Sequence, residues 1–186
     1  DIECIGAGSS AGFATTTLTI GNSDATNQFA EDDKITFIST DGTSKTYSIV
    51  DSGEAGCVET GTVLENGVSD TGAGTAGAAE DGCIAVAVNP GTTKQGAVIN
   101  ELKAAMTGSN GHGTKISHDA DMGVGGGSDT MILTQEVAGI GGATVVTVNT
   151  GMALLDSVVD FSLSDNTDHQ WRYYCVTSVN DAITAG

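Results

Sequence analysis

Positive charge and aromatic rings are both scarce in this sequence: six Lys or Arg stand against 24 Asp or Glu, and Phe, Trp and Tyr make up 4% of 186 residues. A formal charge of −18 repels phosphates and anionic lipid headgroups, which excludes nucleic-acid binding through a basic footprint. There is no run of eighteen apolar residues, so no segment reads as a membrane-crossing helix. The chain opens at Asp1 with no basic and apolar leader, which fits removal of a leader or of an initiator Met alone. It has one Pro, no C-x-x-C pair and no acceptor sequence for N-linked glycosylation. The missing C-x-x-C removes the zinc-ribbon and thioredoxin readings.

Abundant Gly, Ala, Thr and Ser remain. Charged residues total 16%, against roughly 25% in an ordinary soluble domain, so small polar side chains must cover much of the surface. That balance is expected of a secreted, cell-surface or particle protein. The length suits one domain with a real core. The cysteines, Cys4, Cys57, Cys83 and Cys175, lie far apart. They are read either as buried thiols or as two disulfides, with Cys57–Cys83 closing a glycine-rich loop and Cys4–Cys175 tying the termini.

Alternation and helical spacing predict the elements. Residues 1–13 have no period and read as an arm. Ala14 to Ile20 alternates as a strand, with Leu18 and Ile20 on one face and Thr15, Thr17 and Thr19 on the other. Lys34 to Thr40 and Lys45 to Val50 form a hairpin turned by Asp41-Gly42. Residues 51–82 read as a long glycine-rich loop, functional or interfacial, with one short strand at most. Ile84 to Val88 is a buried strand. Lys94 to Met106 is a helix with a stripe of Val98, Ile99, Leu102 and Met106, capped by Thr92 or Thr93 and closed by Gly108. Lys115 to Ser117, Thr130 to Gln135 and Ala143 to Val148 are further strands. The expected class is α+β, mostly β, a compact sandwich-like or twisted sheet in the order β-β-β-β-α-β-β-β. Residues 14–148 form the module. Residues 149–186 are an extension that closes the domain or packs on a neighbour, and they hold the only Trp and Arg and two of the three Tyr.

Few motifs carry chemistry. "GAGTAG" at 72–77 matches G-x-G-x-x-G but lacks the preceding strand and following helix, and reads as a loop. "HDADMGVGGGSD" at 118–129 sets Asp119, Asp121 and Asp129 on a turning backbone, where they either form an acidic loop or converge on a calcium ion; no other cofactor is expected. His112, His118 and His169 have no metal or catalytic spacing and read as solvated loop residues. Glu31-Asp32-Asp33 sits in a polar connection without an aromatic cleft, so no glycosidase, and no other enzyme, is expected.

"ITFISTDGTSKTYSI", then "AVINELKAAMTGSNGHGTKIS", then "MILTQEVAGIGGATVVTV" together resemble a module of structural proteins from tailed phages, especially marine ones. The layout is also similar to the insertion module of flagellins and hook-associated proteins. The resemblance covers residues 14–148. It departs from the pattern at Gly142-Ala143, where Gly-Asn is usual, and in the long segment between Cys57 and Cys83. It implies a β-rich building block with no catalytic residues. The expectation is a non-enzymatic virion protein, foremost a capsid decoration or cement subunit or else a tail or fibre component. Its partners would be copies of itself and a major capsid or other virion protein. Ile2, Ile5, Phe13, Trp171, Tyr173 and Tyr174 are the expected interface residues. A secreted filament or adhesin subunit is the alternative, and a calcium-dependent carbohydrate module using the three aspartates and Trp171 is a third reading.

Overall fold

A computed structural model describes residues 12–26, 29–67, 75–149, 157–158 and 160–163. Two sheets face each other across one core. The first contains β1 (Ala14–Ile20), β5 (Ile116–His118), β6 (Asp129–Gln135), β8 (Ser157–Val158) and β9 (Ser162–Leu163). They are ordered β5-β6-β1-β8, with β9 on the same edge of β1. The second is ordered β4-β3-β2-β7, from β2 (Lys34–Ile38), β3 (Ser44–Asp51), β4 (Ile84–Val88) and β7 (Thr147–Val148). The mostly-β α+β class and the element order through β7 are as the alternation predicts; β8 and β9 add two strands beyond it.

β1 shows how pattern becomes packing. Ala14, Thr16, Leu18 and Ile20 point into the core, and Thr15, Thr17 and Thr19 point outward half-buried. The β2–β3 turn uses Gly42 at φ 82°, where a side chain would be strained. The Asp41 carboxylate holds the turn by accepting from Thr43 N at 3.0 Å and Ser39 Oγ at 2.6 Å. Lys115 against Asp41, at 2.7 Å, holds that carboxyl well below its usual range, helped by the Ser39 and Thr43 bonds.

β3 and β4 pair in parallel, so both faces of the pair must be covered. Tyr47, Ile49, Ile84, Val86 and Val88 fill the main core, while Val50 and Ala85 turn to the far side. There residues 52–67 and 75–83, here called the excursion, lie over them and make a second small core with Leu64, Ala76 and Cys83. This glycine-rich segment, read as a loop, also hydrogen-bonds along β4. Gly61 N donates to Ala85 O and Ala85 N to Thr62 O, and an isolated bridge joins Val63 to Ile84.

Helix α1 (Gln95–Thr107) buries the predicted stripe against β4 and β5. The expected threonine cap is not used. Thr93 Oγ1 accepts from Asn89 N instead, and the first helical N–H groups of Gln95 and Gly96 donate to the carbonyls of Ala25 and Ser23. Residues 143–146 are not strand, because Thr144 N turns back to Gly142 O and Val146 N donates to the Asp160 carboxylate. The module also runs beyond Val148: Asn149 brackets Lys34 and Asp32, Phe161 is buried, and β9 pairs with Ala14 and Thr15. That part of the extension closes the domain.

Candidate functional site

Four buried polar groups stand out, and each is spent on holding the fold. Gln135 is fully buried where the two sheets meet. Its Oε1 accepts from Thr40 N at 2.9 Å and Thr40 Oγ1 at 3.2 Å, and its Nε2 donates to Ile38 O at 2.8 Å and Thr144 Oγ1 at 3.1 Å. That uses both lone pairs and both hydrogens of the amide. Asp33 accepts from Ala30 N at 2.8 Å, and burial pushes its carboxyl above the usual range despite that bond. Glu80 accepts from Gly77 N and from Ser48 Oγ, under the excursion.

His112 is the fourth, and it is buried, contrary to its reading as a solvated loop residue. The backbone on either side packs closely: a Cβ on Gly111 would meet Ala105 O at 2.3 Å, and Gly113 takes φ 58°. The ring therefore enters the space behind the β2–β3 turn, 5.9 Å from Tyr47 and 6.5 Å from Phe37 between ring centres. A carbonyl can only accept, so Nε2 carries the hydrogen given to Thr43 O at 3.3 Å. Nδ1 then accepts from the Tyr47 hydroxyl at 2.7 Å. Burial, chiefly, lowers the His112 pKa, and Lys45 and Lys115 nearby oppose a further positive charge. Burial pushes the Tyr47 phenol up. Both ring nitrogens are thus engaged, in a cluster suited to clamping the hairpin tip onto residues 112–115.

A pH dependence follows. Between the lowered folded pKa and the ordinary value of about 6.5, the unfolded chain binds a proton that the folded chain refuses. Stability is full above that window and is lost as pH falls through it, by at most about 1.4 kcal/mol per pH unit for one proton. Thermal melts from about pH 7.5 down to 5.5 should show the decline, and His112→Gln should flatten it.

The three aspartates read as an acidic loop or a calcium site each have their own partner. Asp119 Oδ1 accepts from Ile132 N at 3.0 Å, Asp121 pairs with Lys103, and Asp129 accepts from Gly123 N and Thr130 N. The three carboxylates point to different partners, and among the described residues no group of three or more His, Cys, Asp or Glu could hold a metal ion. The Cys57–Cys83 bridge is likewise not formed: Cys57 Sγ is directed at Val58 O and Cys83 Sγ at Ala79 O, both as thiols beside the second core. Burial raises the Cys83 pKa. His118 Nδ1 lies against Asp119 O at the loop surface. Of the expected interface residues Phe13 is half exposed; Ile2, Ile5, Trp171, Tyr173 and Tyr174 lie outside the described residues, as do Cys4, Cys175 and His169.

The two sheets differ in what covers them. The outer side of β3–β4 lies beneath the excursion, whereas β1 and β6 turn threonines and an exposed Ile132 outward. Alternation marked β1's threonines as outward, but only the pairing of β1 with β6 joins them to Ile132 in one face. The chain matches no protein-family model, no curated protein and no solved structure.

Proposed function

We propose that this protein is a non-enzymatic structural subunit of a virus particle, foremost a decoration or cement subunit that stabilises a capsid through contacts between subunits. The observation that carries the reading is the sidedness of the sandwich. The outer side of β3–β4 lies under a segment that hydrogen-bonds to it, β1 and β6 turn half-buried threonines and an exposed Ile132 outward, and the buried polar side chains described above serve the fold. Such a scaffold offers surface where an enzyme would offer a reactive cleft. Its hairpin, helix and "LTQ" strand are also the pieces that resemble phage structural modules.

Imaging and mass measurement of native particles carrying the chain test this reading. A closed shell or tailed particle is the expected result; a long thin fibre would favour a secreted filament subunit, and a free monomer would remove both. Thiol labelling without reductant separates the first two, because an exported filament subunit oxidises while a phage protein folds in a reducing cytoplasm. In a phage particle Cys57 and Cys83 should both label after unfolding.

A further inference from the structure

Two Asn-Gly steps occur in the chain, Asn66-Gly67 and Asn110-Gly111, and glycine leaves the following amide nitrogen unshielded for attack on the asparagine side chain. The structure separates them. Asn110 is tied down: its Nδ2 donates to Gly61 O at 2.9 Å, and Gly111 N donates to Gly108 O at 3.1 Å. A Cβ on Gly111 would meet the carbonyl oxygens of Ala105 and Met106 at 2.3 and 2.4 Å, so this peptide has little room to rotate against the end of α1. Asn66 lies exposed in a turn, and its side-chain amide has no hydrogen-bond partner among the described residues. A Cβ on Gly67 would meet nothing within 4 Å, and one bond, Gly67 N to Ala76 O at 2.9 Å, restrains the nucleophile. We propose that Asn66 is a site of spontaneous self-modification whose conversion loosens the excursion over β3–β4.

The Gly67 amide nitrogen gives up its proton and bonds to Asn66 Cγ. The bond from Cγ to the side-chain nitrogen breaks, and that nitrogen takes up a proton and leaves as ammonia. Water then opens the resulting cyclic imide at either carbonyl, adding OH to carbon and returning H to the ring nitrogen. Position 66 ends as aspartate or as its β-linked isomer, with water as the one co-reactant. While the imide stands, residue 67 has no N–H, so its bond to Ala76 O is lost. Either product sets a new carboxylate beside Asp81, whose Oδ1 accepts from Asn66 N at 3.3 Å, and like charges repel. The β-linked product also lengthens the main chain by a carbon next to two further ties, Leu64 N to Cys83 O at 2.8 Å and Gly82 N to Leu64 O at 2.9 Å. Leu64, Ala76 and Cys83 belong to the second core, so slackening these ties uncovers it. The inference is independent of the structural-subunit reading.

The test follows both steps by peptide mass spectrometry of the full chain held in mildly alkaline buffer, once folded and once in urea. In the folded chain Asn66 should convert about tenfold or more faster than Asn110, because the latter must first give up its hydrogen bonds and its close packing. In urea the two rates should agree within about threefold, since unfolding removes what distinguishes them. Asn66→Gln should abolish the acidic shift of the aged folded chain in isoelectric focusing, and Asn110→Gln should leave that shift in place. After conversion, Cys83, 5% exposed, should react with a thiol reagent at least about twofold faster than in fresh protein. Equal rates in the folded chain, the same rate difference in urea, or an Asn66 that stays intact while the unfolded chain converts would each overturn the site. Unchanged labelling of Cys83 after conversion would overturn the loosened cover.

Discussion

Gly96→Ala should lower the melting temperature by about 5–10 °C, while Gly125→Ala leaves it within about a degree. A Cβ at residue 96 would stand 1.9 Å from the carbonyl oxygen of Gly123, and backbone cannot swing aside as a long side chain can. Gly96 N also donates to Ser23 O, so the first turn of α1 is held by the backbone of both neighbouring loops. The alanine gains about 1 kcal/mol of helix propensity and meets an overpacking cost of several times that, for a net loss of about 2–3 kcal/mol. Gly125 meets nothing within 4 Å. Calorimetry on the two variants checks the difference, and equal melting temperatures would remove the close approach of α1 to residues 122–124.

Gln135→Ala should cost about 3–4 kcal/mol, read as a lower urea midpoint with an unchanged slope. Its amide makes four hydrogen bonds where the sheets meet, and truncation orphans the half-buried Thr40 N and leaves a cavity. Gln135→Leu refills most of the volume without the bonds. If packing dominated, leucine would restore most of the loss; the geometry predicts that it restores less than half. This side chain ends the "LTQ" strand, and its role explains a glutamine at the third inward position after Met131 and Leu133.

Much of the local structure was legible in the sequence because it is set locally. Alternation in Ala14–Ile20, the Asp41-Gly42 turn and the Val98–Ile99–Leu102–Met106 stripe each settle within a few residues of chain, and each is found as expected. The pairings were not legible. Thr15 lies opposite Thr134, and Tyr47 runs parallel to Ile84, choices made by burial over long separations that leave no periodic trace. The second core under the excursion escaped for a related reason: Val58 and Leu64 have no common period and become one cluster only when β4 presents Ala85 to them. His112 was misread because lack of metal or catalytic spacing was taken as a sign of solvation, whereas its burial is set by long-range packing against Tyr47 and Phe37. In the acidic loop, spacing fixes where carboxylates are attached but not whether a nearby N–H or lysine takes them, as Ile132 N and Lys103 do for Asp119 and Asp121.

β1 precedes the other described strands in the chain and sits in the middle of its sheet, between β6 on one side and β8 and β9 on the other. Every one of those partners lies more than a hundred residues further along the chain, so at typical synthesis rates β1 waits on the order of ten seconds before it can pair. Its alternate threonines make that wait less hazardous than an all-apolar strand would, since only one side of the nascent segment is sticky. High contact order then predicts slow folding, on the scale of milliseconds to seconds once the chain is complete. Copies emerging side by side could offer one another β6 before their own arrives, so crowded synthesis, rather than heat, is the condition under which this chain would exchange strands.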